Sequence, residues 1–286
     1  MIGRISRREF LADTAALAAA AAAMRGPVGL AGEAKPQLPR IRLGDVEVSR
    51  LILGSNPFWG YAHQPGDLGA RMKEYYTDER IMDLLDEAAE LGVTTVASPP
   101  DPRWITLYDA YRARGGKLKV WLAQAHGNPK KMKEEIDRAV DAGAAAVFIQ
   151  GHRAEDYYAQ GKFDEVRSWI EHIKSKKVPA GMAAHRADVH PAAEKEGFPT
   201  DFYFQCFYRP ETYTTEDRDL AVATIKQITN KPVIAYKILA AGRIPAPEGF
   251  AYALKCLAAK DGICVGIFPK DKPDMLAQDV ALTCRV

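Results

Sequence analysis

Short apolar runs recur along the chain at 50–54, 93–98, 118–123, 145–150, 179–184, 202–207, 232–237 and 262–268. Each has the length of a strand buried on both faces. Amphipathic segments at 78–91, 105–114, 129–142, 163–176, 190–196, 217–229 and 248–260 separate them. Several of these open on Asp, Thr or Pro and close on Gly, as at Thr77-Asp78, Leu91-Gly92 and Ala142-Gly143, the punctuation of capped helices. Strand and helix alternating eight times predict parallel βαβ units closed into a (β/α)8 TIM barrel. A doubly wound open sheet is disfavoured because no GxGxxG follows the first strand. Residues 41–48 read as a hairpin turning at Gly44-Asp45 and plugging the barrel bottom.

One connection departs from this rhythm. The first strand-to-helix link, Asn56 to Thr77, is a loop of about 20 residues carrying Phe58, Trp59, Tyr61, His63, Tyr75 and Tyr76. On a barrel it belongs to the C-terminal face, where active sites are built. It therefore reads either as a lid or substrate wall, or as a loop packed across the rim.

Composition adds bounds. With 39 basic and 37 acidic residues the net charge is +2, which gives no reason to expect nucleic acid or an anionic membrane as partner. The four cysteines, Cys206, Cys256, Cys264 and Cys284, contain no CxxC pair and establish no disulfide. The N-terminus is more specific. Ser6-Arg7-Arg8-Glu9-Phe10-Leu11 precedes an Ala/Leu stretch to Met24, with small residues near Ala31 to Ala34. That is the layout of a cleavable signal, and the paired arginines resemble the twin-arginine pattern. The apolar run is shorter than the roughly 20 residues that span a bilayer. The expected organisation is thus a signal peptide at 1–34 and one barrel domain at 35–286. The product would be periplasmic or otherwise exported, would meet the translocation machinery on the way, and would keep no stable membrane insertion after cleavage. Twin-arginine export carries folded proteins, which favours a bound cofactor.

Three of the six histidines share one structural address. His126, His152 and His185 stand just past the apolar runs of the third, fourth and fifth barrel strands. Neighbouring strands are about 4.8 Å apart, so the three imidazoles can converge. Imidazoles suit zinc and similar divalent metals, and a catalytic zinc commonly has three protein ligands and an open position. Without a metal, one histidine serves as general acid or base. Period-two alternation puts Gln124 and Gln150 in a polar layer beneath them. His172 reads as a helix-surface residue, His190 as a loop residue, and His63 as a lid-borne candidate.

Other polar residues fall on the same face. Lys237, at the end of the seventh strand, could bind a substrate carboxylate or oxyanion, form a Schiff base, or simply pair with an acid. Asp101 and Glu155-Asp156 could be metal ligands or bases, or caps. Gln205 and Tyr208 could hydrogen-bond a polar ligand. Trp59, Tyr61 and Trp104, with Tyr208, would suit stacking on a sugar ring. Asn56 opens the lid loop and joins the substrate-binding candidates.

The segment Val48-Ser49-Arg50-Leu51-Ile52-Leu53-Gly54-Ser55 resembles the opening strand of aldo/keto reductases. The resemblance continues through Ala88 to Val93, the segment ending at His152, Phe204-Gln205-Cys206-Phe207-Tyr208 and Ala235-Tyr236-Lys237-Ile238-Leu239-Ala240-Ala241-Gly242. It closes with Phe268 to Asp279. It covers nearly the whole chain beyond the signal segment, in order, and implies the barrel fold, NAD(P) binding and hydride transfer. Gln205 and Tyr236 match nicotinamide-contacting positions, and Lys270 and Lys272 resemble the adenosine phosphate site. The family's aspartate–tyrosine pair would lie where this chain has Ser98-Pro99-Pro100-Asp101. Its lysine would stand where His126 stands, and its serine–asparagine pair where Ala184-His185 stand. The reading is therefore an exported hydrolase, lyase or isomerase on a small polar, carbohydrate-like substrate. In it His126, His152 and His185 hold a divalent metal, while His152, Lys237, Asp101 and Tyr208 carry the chemistry. Two alternatives stand beside it: a divergent NAD(P)-dependent oxidoreductase and a non-catalytic small-ligand-binding barrel.

Overall fold

The computed structural model describes residues 37–285. The signal-like segment 1–34 lies outside the described residues. A hairpin comes first: β1 (Arg40–Leu43) pairs antiparallel with β2 (Val46–Ser49), with Arg40 opposite Ser49 and Leu43 opposite Val46. Gly44, at φ +59, makes the turn, which is the left-handed backbone that glycine adopts without steric cost.

Eight parallel strands then close a barrel. They are β3 (Leu51–Gly54), β4 (Thr95–Ser98), β5 (Val120–Ala125), β6 (Ala146–Ile149), β7 (Ala180–Ala184), β8 (Phe202–Cys206), β9 (Val233–Tyr236) and β10 (Gly262–Gly266). The last strand pairs with the first, Ile263 beside Leu51 through Gly266 beside Gly54. The fold is the TIM barrel that the alternation predicts.

Period-two alternation splits the strands' apolar residues into two cores. Ile52, Leu122, Phe148, Phe202, Phe204 and Ile234 point inward, where Ile41, Leu43 and Val48 of the hairpin join them. Burying each hairpin side chain contributes roughly 1.5–3 kcal/mol. That anchors a two-stranded unit which would be marginal in water alone. Phe148 and Phe204 stack in the lumen with ring centroids 4.3 Å apart and planes 7° from parallel. The alternate residues, Leu53, Val96, Trp121, Ile149, Met182 and Tyr203 among them, pack outward against the helices.

The helices are α1 (Leu68–Tyr75), α2 (Asp78–Glu90), α3 (Pro102–Ala113), α4 (Met132–Asp141), α5 (Gly151–Ala159), α6 (Phe163–Ser175), α7 (Val189–Lys195), α8 (Thr215–Gln227), α9 (Ala246–Cys256) and α10 (Met275–Thr283). Thr77, Asp101 and Thr214 cap α2, α3 and α8 by accepting from Arg80, Arg103 and Asp217 backbone N–H groups. Three helices escape the apolar pattern. In α1 only Met72 is buried, and in α5 only Gly151, Ala154 and Glu155, so neither shows an apolar stripe. The third, α10, has a small amphipathic contrast because Asp279 lies on its buried face. The first connection is consequently not one long loop but a 3-10 turn at Asn56–Trp59 followed by α1. Among the described residues no helix is long and apolar enough to cross a membrane.

Asp279 generates a prediction. It is 3% exposed, and burial pushes its carboxyl up to about 7, with Lys272 pulling weakly the other way. The folded pKa exceeds the unfolded one, so the protonated form favours folding. The associated stability is complete below about pH 4 and is lost as pH rises through 7. Chemical denaturation should show wild-type stability falling across that window by on the order of 2–4 kcal/mol relative to Asp279→Asn. Parallel profiles for the two proteins would count against it.

Candidate functional site

Two buried glutamates organise the ends of the central strands. Glu155 lies on the inner face of α5, next to Ala154 and one turn from Gly151. Its Oε1 accepts the backbone N–H groups of His185 and, at 2.7 Å, Arg186, just past β7. Its Oε2 stands 3.2 Å from His185 Nδ1. Glu135, on the apolar face of α4 with Met132, Ile136 and Ala139, repeats the device. Its Oε1 accepts His126 N–H at 3.0 Å and lies 3.2 Å from His126 Nδ1. Burial acts to raise both carboxyls, but the hydrogen bonds and charge of their histidines outweigh it and hold them below the usual range.

Glycine makes room for both arrangements. A Cβ on Gly127 would sit 1.7 Å from Glu135 Oε2, and one on Gly151 would come within 3.1 Å of the His185 ring.

His152 occupies the first turn of α5, so it does not end a strand, as the apolar run suggested. Its ring centroid is 4.4 Å from that of His185. The potential ligand atoms of His152, Glu155 and His185 all lie within 4.8 Å of one another. Among the described residues no other such cluster of His, Cys, Asp or Glu can hold an ion. His126 is outside this group. The expected three-imidazole centre is thus replaced by two imidazoles and a carboxylate, because Glu135 draws the His126 ring toward α4 while Glu155 arrives with His152 on α5. Two ligands of a tetrahedral zinc with bonds of 2.0–2.2 Å stand about 3.3 Å apart. The His185 Nδ1 to Glu155 Oε2 separation of 3.2 Å fits that edge as well as it fits a long hydrogen bond. The donor set therefore suits a divalent ion.

Around this group the mouth is unusually tense. Of the non-glycine residues with positive φ, His63, Tyr213, Lys237, Ala240 and Ala241 all lie on this face. They hold one another: Gln64 Nε2 donates to the Ala241 carbonyl, while Arg243 Nη1 donates to His63 O at 3.3 Å. Tyr213 Oη donates to the same His63 carbonyl at 3.5 Å. The first strand-to-helix connection is thereby laid toward the segment after β9. Clustered left-handed residues are a mark of functional loops. His63 reads the local field: burial, with Lys237, His185, His152 and Arg243 around it, pushes its imidazole down to about 4. Burial also lowers the Lys237 ammonium, which Arg243 reinforces and Cys206 and Glu211 oppose.

The remaining candidates separate by strand phase. Gln124 shares the inward phase of Leu122, and Gln150 follows the inward Phe148 at the α5 N-cap. Tyr236 packs with the lumen cluster, its ring 5.7 Å from His185. Gln205 does not face the lumen. It is fully buried in the opposite phase to Phe204, with Nε2 donating to Cys206 O at 3.1 Å. Trp104 is no stacking platform, being 1% exposed between α3 and the barrel wall against Trp121 and Tyr108. Tyr208 is likewise buried in the helix-side core, its hydroxyl 3.4 Å from Arg218 Nη1. Asp101 is the α3 cap and contributes no free carboxylate to the site. Of the lid residues, Tyr61 is exposed, Trp59 lies half-buried beneath Arg103, and Asn56 Nδ2 stands 3.5 Å from His63 Nε2. His190, expected in a loop, is buried in α7 with Nε2 beside the Phe204 carbonyl, and His172 pairs with Asp137. Glu135 went unrecognised, although a glutamate at an apolar helix position was its signal.

No protein-family profile matches this chain, and no curated protein matches it. Solved structures do. A Pseudomonas aeruginosa protein described as an aldo-keto reductase aligns over 89% of this chain and 98% of its own, with 15% identity and a TM-score of 0.62. The glycerol dehydrogenase of Gluconobacter oxydans aligns over 86% and 90%, at 12% identity and 0.56. A Thermotoga maritima phospho-2-dehydro-3-deoxyheptonate aldolase aligns over 87% and 72%, at 15% identity and 0.53. These similarities show the TIM-barrel fold that enzymes of several classes share.

The glutamate device carries a stability prediction. Glu155→Ala removes the acceptor from two backbone N–H groups and one ring nitrogen, so it should cost about 2–4 kcal/mol in urea denaturation. Glu155→Gln, which keeps one acceptor oxygen, should recover part of that loss. A Glu155→Ala protein as stable as wild type would show that the carboxylate does not hold β7 to α5.

Proposed function

We propose that the chain is an enzyme whose active centre is a divalent-metal site formed by His152, Glu155 and His185 at the C-terminal ends of β6 and β7. The observation that supports it is the convergence of their ligand atoms within 4.8 Å on the face where TIM barrels do chemistry. A bound ion would polarise a substrate oxygen or lower the pKa of a water. The chain's own groups supply the rest. Glu155 Oε1, committed to two backbone N–H groups, fixes the carboxylate and leaves Oε2 toward the ring. Lys237 provides a positive charge for an oxyanion, and His126, oriented by Glu135, offers acid/base capacity beside the centre. Gln124, Gln150 and Tyr236 line the lumen side for a small polar substrate. This suits lyase, isomerase or hydrolase chemistry. With the signal-like N-terminus, the activity would be exercised in the periplasm or outside the cell.

The oxidoreductase alternative draws on the likeness to aldo-keto reductase barrels and on Tyr236. Gln205, the other residue at a nicotinamide-contacting position, is turned away from the lumen and fully buried, which weakens it. Fluorescence titration with NADPH separates the two readings.

Metal analysis of the purified full chain should find about one equivalent of zinc or a similar ion. His152→Ala and His185→Ala should each weaken binding, by more than the ~10- to 100-fold typical of losing a residue that only supports a ligand. A wild-type protein that binds no divalent ion at micromolar concentration would overturn the proposal.

A further inference from the structure

Several cations elsewhere on the barrel pair with carboxylates, among them Arg71 with Asp271, Arg103 with Asp78, Arg114 with Asp86 and Lys174 with Asp201. The cations of the mouth do not. The Lys237 ammonium makes no hydrogen bond or ion pair among the described residues, although the side chain is half-buried. Glu211, the acid nearest to it in effect, is turned to Arg209 at 3.6 Å. Arg243 bonds only to carbonyls, His63 O at 3.3 Å and Ala240 O at 3.0 Å, and lies 3.9 Å over the Tyr213 ring. A guanidinium has five N–H groups, and these contacts leave part of that fork unused. Arg153, beside His152, likewise donates only to a carbonyl, that of His126 at 3.0 Å.

Leaving an ammonium partly desolvated and unpaired is costly, and holding its backbone at φ +54 adds to the cost. The Ala240 N–H donates to the Lys237 carbonyl at 3.0 Å and Arg243 Nη1 to the Ala240 carbonyl at 3.0 Å, so the two cations share one turn. Arg243 also holds His63, whose imidazole feels Lys237, His185 and His152 together, which puts the free charge at the mouth of the proposed centre.

We infer that this mouth takes a substrate bearing a small oxyanion, a carboxylate or a phosphate, held by Lys237 and Arg243 beneath the lid loop. The remainder of the substrate then reaches His152 and His185. The inference rests on the proposed active site for its location but not on the metal. Arg243 also ties down the His63 carbonyl, so the same residue that meets the anion fastens the lid, and lid and anion close the site together.

Calorimetric titration of the full chain at low ionic strength tests this, with malonate, inorganic phosphate and neutral glycerol as probes. Malonate or phosphate should bind once per chain, and whichever binds identifies the source of the oxyanion; glycerol should not bind. Lys237→Met should weaken that binding by about tenfold or more. The same variant should melt at an unchanged or higher temperature, because the lost charge leaves no partner behind; a structural lysine would lower it. His152→Ala should weaken metal binding as stated above and keep the anion, so failure of the metal reading and failure of this one are distinguishable. Absence of binding by both anions, equal binding of glycerol, or Lys237→Met with wild-type anion affinity would overturn the inference.

Discussion

The arrangement of the site depends on one carboxylate. Glu155 reaches from α5 to the first two backbone N–H groups past β7 and to the His185 ring. Those N–H groups lie where the strand ladder has ended and no neighbouring strand can pair them. A buried donor without an acceptor costs about 1–3 kcal/mol, so the ionised carboxylate is the chain's answer to a problem that every barrel strand end poses. Because Glu155 and His152 belong to the same first turns of α5, satisfying the β7 backbone also brings His152 against His185. The cluster of His152, Glu155 and His185 is thus a consequence of how a strand end is capped.

The same device at β5 shows what the cap alone produces. Glu135 holds His126 by its N–H and its ring, as Glu155 holds His185, yet no second imidazole accompanies it. α4 begins later after β5 than α5 does after β6, with a 3-10 turn at Pro129–Lys131 between. α5 starts two residues past the end of β6, and that short connection is what puts a histidine of its first turn beside the neighbouring strand.

The barrel was legible because its strands are buried on both faces, and uninterrupted apolar runs say so directly. The placement of Gln124 and Gln150 follows from period two, whereas Tyr236 is a candidate only through the family resemblance. What could not be read was anything that depends on where a strand stops. His152 reads as a strand end in the sequence because Val147 to Ile149 is apolar and a Gly-His pair carries no helix signal. Gln205 looks equivalent to a lumen residue until the phase is fixed by Phe202 and Phe204, and Tyr208, though in their phase, lies two residues past the end of β8 and turns to the helix side. Trp104 was placed at the rim because it follows β4 closely, yet α3 begins at once and turns the indole back against Trp121. Glu155 is a candidate ligand from its place after the fourth strand, whereas Glu135 is readable only as an interruption of an apolar helix face, which demands a polar partner underneath.

The two kinds of strain on this face then have a common direction. The carboxylates of Glu135 and Glu155 are spent on backbone and imidazole, which leaves them little capacity to neutralise cations. Lys237, Arg243 and Arg153 meet carbonyls or nothing, and their charge accumulates with that of any protonated imidazole or metal. Capping the strand ends thus commits the nearby acids to backbone and imidazole, and it leaves Lys237, Arg243 and Arg153 without a carboxylate of their own in a chain whose net charge is only +2. Under the proposed reading, an anionic ligand would supply that missing partner, and its attraction to the three cations would be strongest at low ionic strength.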